Sequence, residues 1–393
     1  MATYMFELRR HGGDGGERAN CGDEASGRSN NDRDDGWRWT APSVTVTAPC
    51  EVPSLRAHVE ETLLPSVERL GGLGVYTSAR SDLLAEEAEL ALHAARVAGS
   101  IAGLTTGSTA GPVAGTRTDG VCDILKLSLD AATGLKSDVS ARSMIVAVFV
   151  CIDDRIDHVV VYTTVLGSVP PAPTANGHAM SVACIVGPPR ARPGIKDIAW
   201  IRDRKDLEER GKRATEALGY GIPSDVLLCT EGGDLLEGLI TNLFVVVEVE
   251  VEVEDAEGVR GSHVNSNDND NDNDNDNDND DGSQTGQYKL QTAPEGTVLP
   301  GIARRKVIEA CRELGIPVDL TCPSLSERHL WREAFLTNSI RQIQSLDRIC
   351  CVQTNVLGLE PWEVAFDRAD GARPRQTLTG MISGMIRTDS TRE

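Results

Sequence analysis

Three short stretches in the C-terminal half of the chain carry side chains able to do chemistry together. The first is Leu235-Leu-Glu237-Gly-Leu-Ile-Thr241-Asn242-Leu-Phe244, where a carboxylate stands in an apolar run whose pattern assigns it to the interior. A carboxylate taken out of water without a cation or hydrogen-bond donors is costly, so Glu237 is either half of a satisfied ion pair or a working group. The second stretch, Leu299-Pro-Gly301-Ile302-Ala303-Arg304, is a turn that runs straight into a helix start. Free backbone N–H groups and the positive end of the helix dipole make such a place an anion site suited to a phosphate, although many helices open this way. The third, Phe335-Leu-Thr337-Asn338-Ser339, is a strand end whose hydroxyls can also reach a phosphate.

Helices and strands that alternate along the chain must position these residues. Residues 55–70 have helical spacing interrupted by Pro65, which kinks or splits a helix. Residues 74–81 read as a strand, and 81–100 as an Ala- and Glu-rich helix capped by Ser81 or Asp82. Two Val-rich segments, 144–152 and 156–166, predict a β-hairpin, and 225–230 with 235–247 a second one. A strand over 180–186, a charged segment over 195–210, a helix over 303–314 ending at Gly315, and strands over 334–338 and 348–352 complete the set. Strands mixed with helices in this way predict an α+β fold. The Pro- and Ala-rich stretch 168–178 is the natural boundary between a smaller N-terminal α/β domain (42–175) and a larger C-terminal domain (176–393).

Composition narrows the functions open to such a chain. Its 393 residues carry 60 acidic against 39 basic side chains, a net charge of −21, which excludes a nucleic-acid binder working by phosphate neutralisation. Apolar runs such as Met144–Cys151 are far short of the roughly 20 residues that span a bilayer, so no membrane partner is expected. The ten cysteines lack CxxC spacing and predict neither a zinc site nor a disulfide framework. Reduced thiols and an N-terminus without an apolar core predict a cytoplasmic location, with an organelle as the other compartment. Fourteen acids against the single Arg260 lie within 245–282, much of it Asn-Asp alternation. That tract has nothing to bury and repels itself, so 255–285 reads as a disordered insertion in a hairpin rather than a calcium loop, which needs fixed ligand geometry. Residues 1–41, rich in Gly, Asp, Arg and Asn, read as a disordered tail.

Together the chemical stretches resemble the class IV (fold-type IV) aminotransferases, the pyridoxal-phosphate enzymes that include branched-chain and D-amino-acid aminotransferases and aminodeoxychorismate lyase. The family motif runs from a glutamate through an asparagine five residues on to an aromatic, then, after a spacer, through an apolar residue, a threonine and L-x-G-I-x-R. Glu237, Asn242, Phe244, Leu290, Thr292, Leu299, Gly301, Ile302 and Arg304 match it. Leu239 stands where a small residue is usual, and the Asn-Asp tract swells the spacer. Trp200-Ile-Arg-Asp-Arg204-Lys205-Asp-Leu-Glu208 is similar to a segment of plant and algal members. Leu92-His93-Ala-Ala-Arg96-Val-Ala-Gly-Ser100 is similar to the family helix whose arginine binds the cofactor phosphate.

The resemblance implies a fold-type IV architecture with a barrel-like mixed sheet in the larger domain, bound pyridoxal 5'-phosphate, an amino acid and a 2-keto acid as small-molecule partners, and a homodimer. Family members place the Schiff-base lysine a little over thirty residues before the glutamate. Lys205, 32 residues before Glu237, is the expected residue, ahead of Lys196 and Lys212 at 41 and 25. On composition alone Lys205 is a solvated surface charge, and crowding by Arg202 and Arg204 is what would lower its pKa. The remaining roles follow: Glu237 at the pyridinium nitrogen, Thr241 and Asn242 positioning the ring or the glutamate, Tyr76 lining the substrate pocket. Arg96, the Ile302 and Ala303 amides, Asn338 and Ser339 fall at the phosphate. The implied reaction is transamination. Pyruvate-releasing lyase chemistry of the aminodeoxychorismate type, or a non-catalytic binding protein on the same fold, stand as alternatives. Lys205 and Glu237 must then face one cleft.

Overall fold

Residues 3–10, 44–106, 118–134, 142–152, 155–166, 180–249, 287–352, 361–366 and 377–389 are described by the computed structural model. Two sheets organise them. In the first, β1 (Thr3–Arg10), β2 (Val44–Val46), β3 (Cys50–Val52), β4 (Leu73–Arg80), β5 (Ser143–Ile152) and β6 (Arg155–Val165) form a sheet of order β2-β1-β6-β5-β4, with β3 also on β1. Its central strand β5 and the middle of β6 are apolar almost throughout because both faces are covered. Ile145, Ala147 and Phe149 pack with residues of α4 (Glu87–Thr106) and α5 (Thr118–Gly134). Alternating with them, Val146, Val148 and Val150 pack on the other face with Val59, Leu63, Leu64 and Val67. Those last residues belong to a helical stretch made of α1 (Leu55–His58), a π-turn over Val59–Leu63 and α2 (Leu64–Arg69). The switch comes where Pro65 opens α2, as a residue lacking an N–H allows.

The second sheet holds β7 (Val182–Gly187), β8 (Asp225–Cys229), β9 (Leu235–Gly238), β10 (Asn242–Val249), β11 (Gln287–Gln291), β12 (Val318–Asp319), β13 (Trp331–Asn338), β14 (Gln342–Ser345), β15 (Arg348–Cys351) and β16 (Trp362–Ala365). Its main path is β12-β11-β10-β9-β8-β7-β15-β16, with β13 on β10 and β14 on β13. Helices α6 (Ala199–Asp203) and α7 (Lys205–Ala217) lie between β7 and β8 in the chain, α8 (Ile302–Glu313) follows β11, and α9 (Leu378–Asp389) closes the described residues. Phe244 stacks on Phe335 with ring centroids 5.0 Å apart, beneath α8 and α9. β10 and β11 pair antiparallel with Val249 opposite Gln287, so the Asn-Asp tract joins the ends of a hairpin. The tract itself, and the expected boundary at 175, lie outside the described residues.

Several expectations are corrected. Part of the expected tail is a strand: β1 pairs with β6 over seven residues and buries Phe6 and Leu8 in the core under α4 and α5. The rest of 1–41 lies outside the described residues. Replacing Phe6 by alanine is expected to cost about 3–5 kcal/mol, read from the denaturant midpoint, whereas a tail without structure would show no change. The helix expected over 81–100 is split into α3 (Ser81–Leu84) and α4. The strand expected over 235–247 is broken into β9 and β10, because the buried Asp225 carboxylate accepts the N–H groups of Leu239 and Ile240 and the Thr241 hydroxyl. Neither α5 nor α9 was apparent from the sequence. No helix among the described residues is long and apolar enough to cross a membrane.

Candidate active site

The two sheets meet along one edge. A short chain segment before α6 adds to strand β4: Tyr76 N–H donates to the Lys196 carbonyl at 3.0 Å and Ile198 N–H to the Gly74 carbonyl at 3.0 Å. Gly74 is required there, since a Cβ would lie 2.2 Å from Ile198 Cδ1. Above this junction opens a cleft of about 210 Å³, walled by β4, the segment holding Arg190 and Lys196, the β9–β10 turn, the start of α8 and the turn after β13.

Glu237 is the acid of the cleft, 3% exposed. Its Oε2 accepts the Leu299 N–H at 2.9 Å, and Asn242, its neighbour across the β9–β10 pair, donates from Nδ2 to the Leu299 carbonyl at 2.9 Å. Together they hold the Leu299-Pro300-Gly301 turn. A Cβ at Gly301 would fall 2.0 Å from Asn242 Oδ1, so only glycine fits against that clamp. Arg190, its side chain 6% exposed, places NH1 3.5 Å from Glu237 Oε1, lies over the Trp200 ring at 4.6 Å and donates to the Ile195 carbonyl. Burial pushes the Glu237 carboxyl up to about 7, against the opposing pull of Arg190 and the Leu299 N–H.

The structure does not bring Lys205 to the cleft. Lys205 opens α7, whose Leu207, Gly211 and Thr215 face the sheet; 205 lies about 200° round the helix from Leu207. Its side chain is 60% exposed and pairs with Glu60 at 3.4 Å. Arg202 likewise turns outward, to Glu68 and Asp203. The amine that lines the cleft is Lys196, half-buried, with Nζ 4.9 Å from the centre of the Tyr76 ring and 3.4 Å from Ser78 Oγ. The cationic crowding expected at 205 is found here. Desolvation first, then the charges of Arg96, Arg190 and Arg204, hold the Lys196 amine well below the usual lysine range, only partly offset by Glu237.

At the far side α8 begins. Its N-cap Gly301 supplies no side-chain acceptor, which leaves the first N–H groups of Ile302 and Ala303 open at the cleft wall. Arg96 reaches the same cleft from α4, donating through NH2 to Thr77 Oγ1 at 2.7 Å; burial brings its guanidinium down to about 10. Thr337, Asn338 and Ser339 line the cleft from the end of β13. Asn338 Oδ1 accepts from the Ile340 and Arg341 N–H groups, which shapes the turn. Thr241 lines the cleft but spends its hydroxyl on Asp225, at 2.7 Å. Arg304 points away from the cleft, to the Ala293 carbonyl at 2.8 Å.

Of the residues singled out from the sequence, Tyr76, Arg96, Glu237, Thr241, Asn242, Ile302, Ala303, Asn338 and Ser339 all line this cleft, and Lys205 does not. Sequence reasoning missed Arg190 and Arg204, and it set Lys196 aside. The signal for Lys196 was its setting between Ile195 and Ile198, both buried, whereas Lys205 sits among alternating charges.

Residues 162–349 match the profile of the family described as amino-transferase class IV. No curated protein matches the chain. The fold is that of fold-type IV transaminases. CpuTA1 from Curtobacterium pusillum, a fold IV transaminase, is 14% identical with a TM-score of 0.53, and the match covers 99% of each chain. An aminotransferase from Brucella abortus, bound to the cofactor PLP, is 15% identical over 90% of this chain and 98% of its own, with a TM-score of 0.51. A branched-chain aminotransferase from Thermoproteus uzoniensis, with norvaline, is 16% identical over 88% and 93%, also with a TM-score of 0.51.

Proposed function

We propose that this protein is a pyridoxal-phosphate-dependent aminotransferase that moves an amino group between an amino acid and a 2-keto acid, with Lys196 rather than Lys205 as the amine that holds the cofactor. The observation that carries the reading is the placement of a lysine of lowered pKa and a desolvated glutamate on the walls of one cleft. The residues present fit the group. Among the buried polar atoms of the cleft without a hydrogen-bond partner are Glu237 Oε1, Arg96 Nε and Thr337 Oγ1. They supply an acceptor for a ring N–H and two donors for a phosphate, the two ends of pyridoxal phosphate.

Bound pyridoxal phosphate contributes an aldehyde that condenses with amines and a protonated ring that draws electrons from the substrate's α-carbon. Lys196 meets the first requirement because a neutral amine is a nucleophile and an ammonium is not. The same Nζ would be placed to take the substrate's α-proton as a base and to return it as an acid. Glu237 Oε1 would accept the ring's N–H, and a cation so close would hold the carboxylate ionised; Arg190 NH1, 3.5 Å from the same oxygen, and the Leu299 N–H on Oε2 fix the carboxylate. Arg96, the Ile302 and Ala303 amides, Thr337 and Ser339 would hold the phosphate. Leu55, Met144, Val146 and Ile201 keep water from the reacting atoms. The reading includes the pairing of two chains that the family resemblance implies.

Purified protein loaded with the cofactor is expected to be yellow, and borohydride should bleach the band and fix the pyridoxyl group to the chain. Peptide mapping should then find the label on Lys196. Label on another lysine, or none, overturns the assignment.

A further inference from the structure

Behind Arg96 a row of buried polar groups runs from one wall of the cleft to the other. Glu89, His93 and Arg96 fall at i, i+4 and i+7 on α4 and therefore share a face. Arg96 NH2 donates to Thr77 Oγ1 at 2.7 Å and approaches His93 Nδ1 at 3.3 Å; Thr77 Oγ1 lies 2.7 Å from the same Nδ1. The proton positions follow from what each group can do. A guanidinium only donates, so Thr77 accepts from Arg96 and passes its own hydrogen to His93 Nδ1. Nδ1 is then an acceptor, the ring is neutral, and its proton sits on Nε2, facing Glu89 Oε1 at 3.9 Å. Burial and the neighbouring cations Arg96, Lys196 and Lys306 push the His93 pKa the same way, well below the ordinary range. Glu89, 3% exposed, is paired at 2.5 Å with Lys306 Nζ. Lys306 stands one turn into α8, four residues after Ile302, on the helix whose first amides line the cleft opposite Arg96.

The geometry points to the Lys306–Glu89–His93–Thr77 row as a positioning device for the phosphate grip: it orients the Arg96 guanidinium and, through the ion pair, fixes its spacing from the N-terminus of α8. None of the four residues Thr77, Glu89, His93 and Lys306 lines the cleft, so they act through Arg96 and α8 rather than on the ligand. An ion pair between two helices from the two sheets is suited to this, because it sets a distance between elements that the backbone leaves independent. The inference rests on the function proposed above, in which Arg96 and α8 hold a phosphate.

The test compares two ligands that differ only in the phosphate. Dissociation constants for pyridoxal phosphate and for pyridoxal are measured by absorbance or dialysis with wild-type full-length protein, Glu89→Gln, Lys306→Met and Lys306→Arg. Glu89→Gln leaves no buried charge unpaired and Lys306→Arg keeps the partner of Glu89, so these two variants hold the fold even if Lys306→Met does not. The expected result is binding of pyridoxal phosphate weakened about tenfold in Glu89→Gln and Lys306→Met, the scale seen when a ligand's supporting partner is removed. Pyridoxal binding should be unchanged, and Lys306→Arg should recover most of the loss. Equal weakening of both ligands, or no change in either, overturns the inference while leaving the function standing. A wild-type protein that binds pyridoxal phosphate no better than pyridoxal overturns both.

Discussion

Replacing Lys196 by alanine is expected to remove the yellow band and lower transamination by at least about 10³-fold, since both the covalent anchor and the proton carrier are lost. Lys205→Ala is the paired control. It breaks one exposed ion pair to Glu60, worth no more than about 1 kcal/mol, and should leave turnover and the band essentially unchanged. The stability of the two variants should differ in the opposite sense. Lys196 has a folded-state pKa below its unfolded value of 10.5, so at neutral pH the unfolded chain binds a proton that the folded one resists. Removing the amine, for example as Lys196→Met, therefore stabilises the cofactor-free protein, and the gain shrinks as pH rises towards 10.5. Loss of activity in Lys205→Ala with retention in Lys196→Ala would reverse the assignment.

The second large effect belongs to Glu237. Glu237→Gln keeps the shape but presents a neutral amide to the ring, so turnover should fall by about 10²–10³-fold, the scale for losing one well-placed electrostatic partner of the reacting group. Its pH signature is distinct. The Glu237 carboxyl is raised from 4.5 to about 7 in the folded, cofactor-free chain. Below 4.5 it is protonated in both states and costs nothing. As pH rises from 4.5 to about 7 the unfolded chain releases its proton first, and wild-type stability falls. Glu237→Gln has no such loss, so the difference in melting temperature between it and wild type should open across that window and level off above it. Turnover within about threefold of wild type would remove Glu237 from the ring nitrogen, because a buried charged hydrogen bond contributes more than that.

How much of this was legible in the sequence depended on how local each arrangement is. Glu237, Asn242 and Leu299-Pro-Gly301 could be read as a motif because each residue type answers a specific contact: two hydrogen bonds to Leu299 and a position with no room for a Cβ. Arg96 was readable as part of a helix pattern. Lys196 was not, because its distance along the chain from Glu237 is consumed by α6, α7 and the following turn, whose lengths answer to packing on β7 and β8 and not to chemistry. A spacing rule therefore pointed to α7 itself. Arg190 lies in a Pro- and Arg-rich stretch where nothing local marks one arginine as interior. Strand β1 alternates correctly, with Phe6 and Leu8 inward, but its partner β6 is about 150 residues away and the low-complexity sequence after it obscured the pattern. The break between β9 and β10 was hidden because its cause, Asp225, sits on another strand.

The grip of two adjacent strand residues on Leu299, one taking its amide hydrogen and the other its carbonyl oxygen, insulates the pocket from the polypeptide that intervenes. Once β9 and β10 have closed on each other, the start of α8 has a fixed berth whatever route the chain takes to reach it. The excursion from Val249 to Gln287 can thus grow or shrink without shifting the open amides at the cleft wall, which makes the acidic repeat an evolutionary free parameter rather than a threat to the cleft.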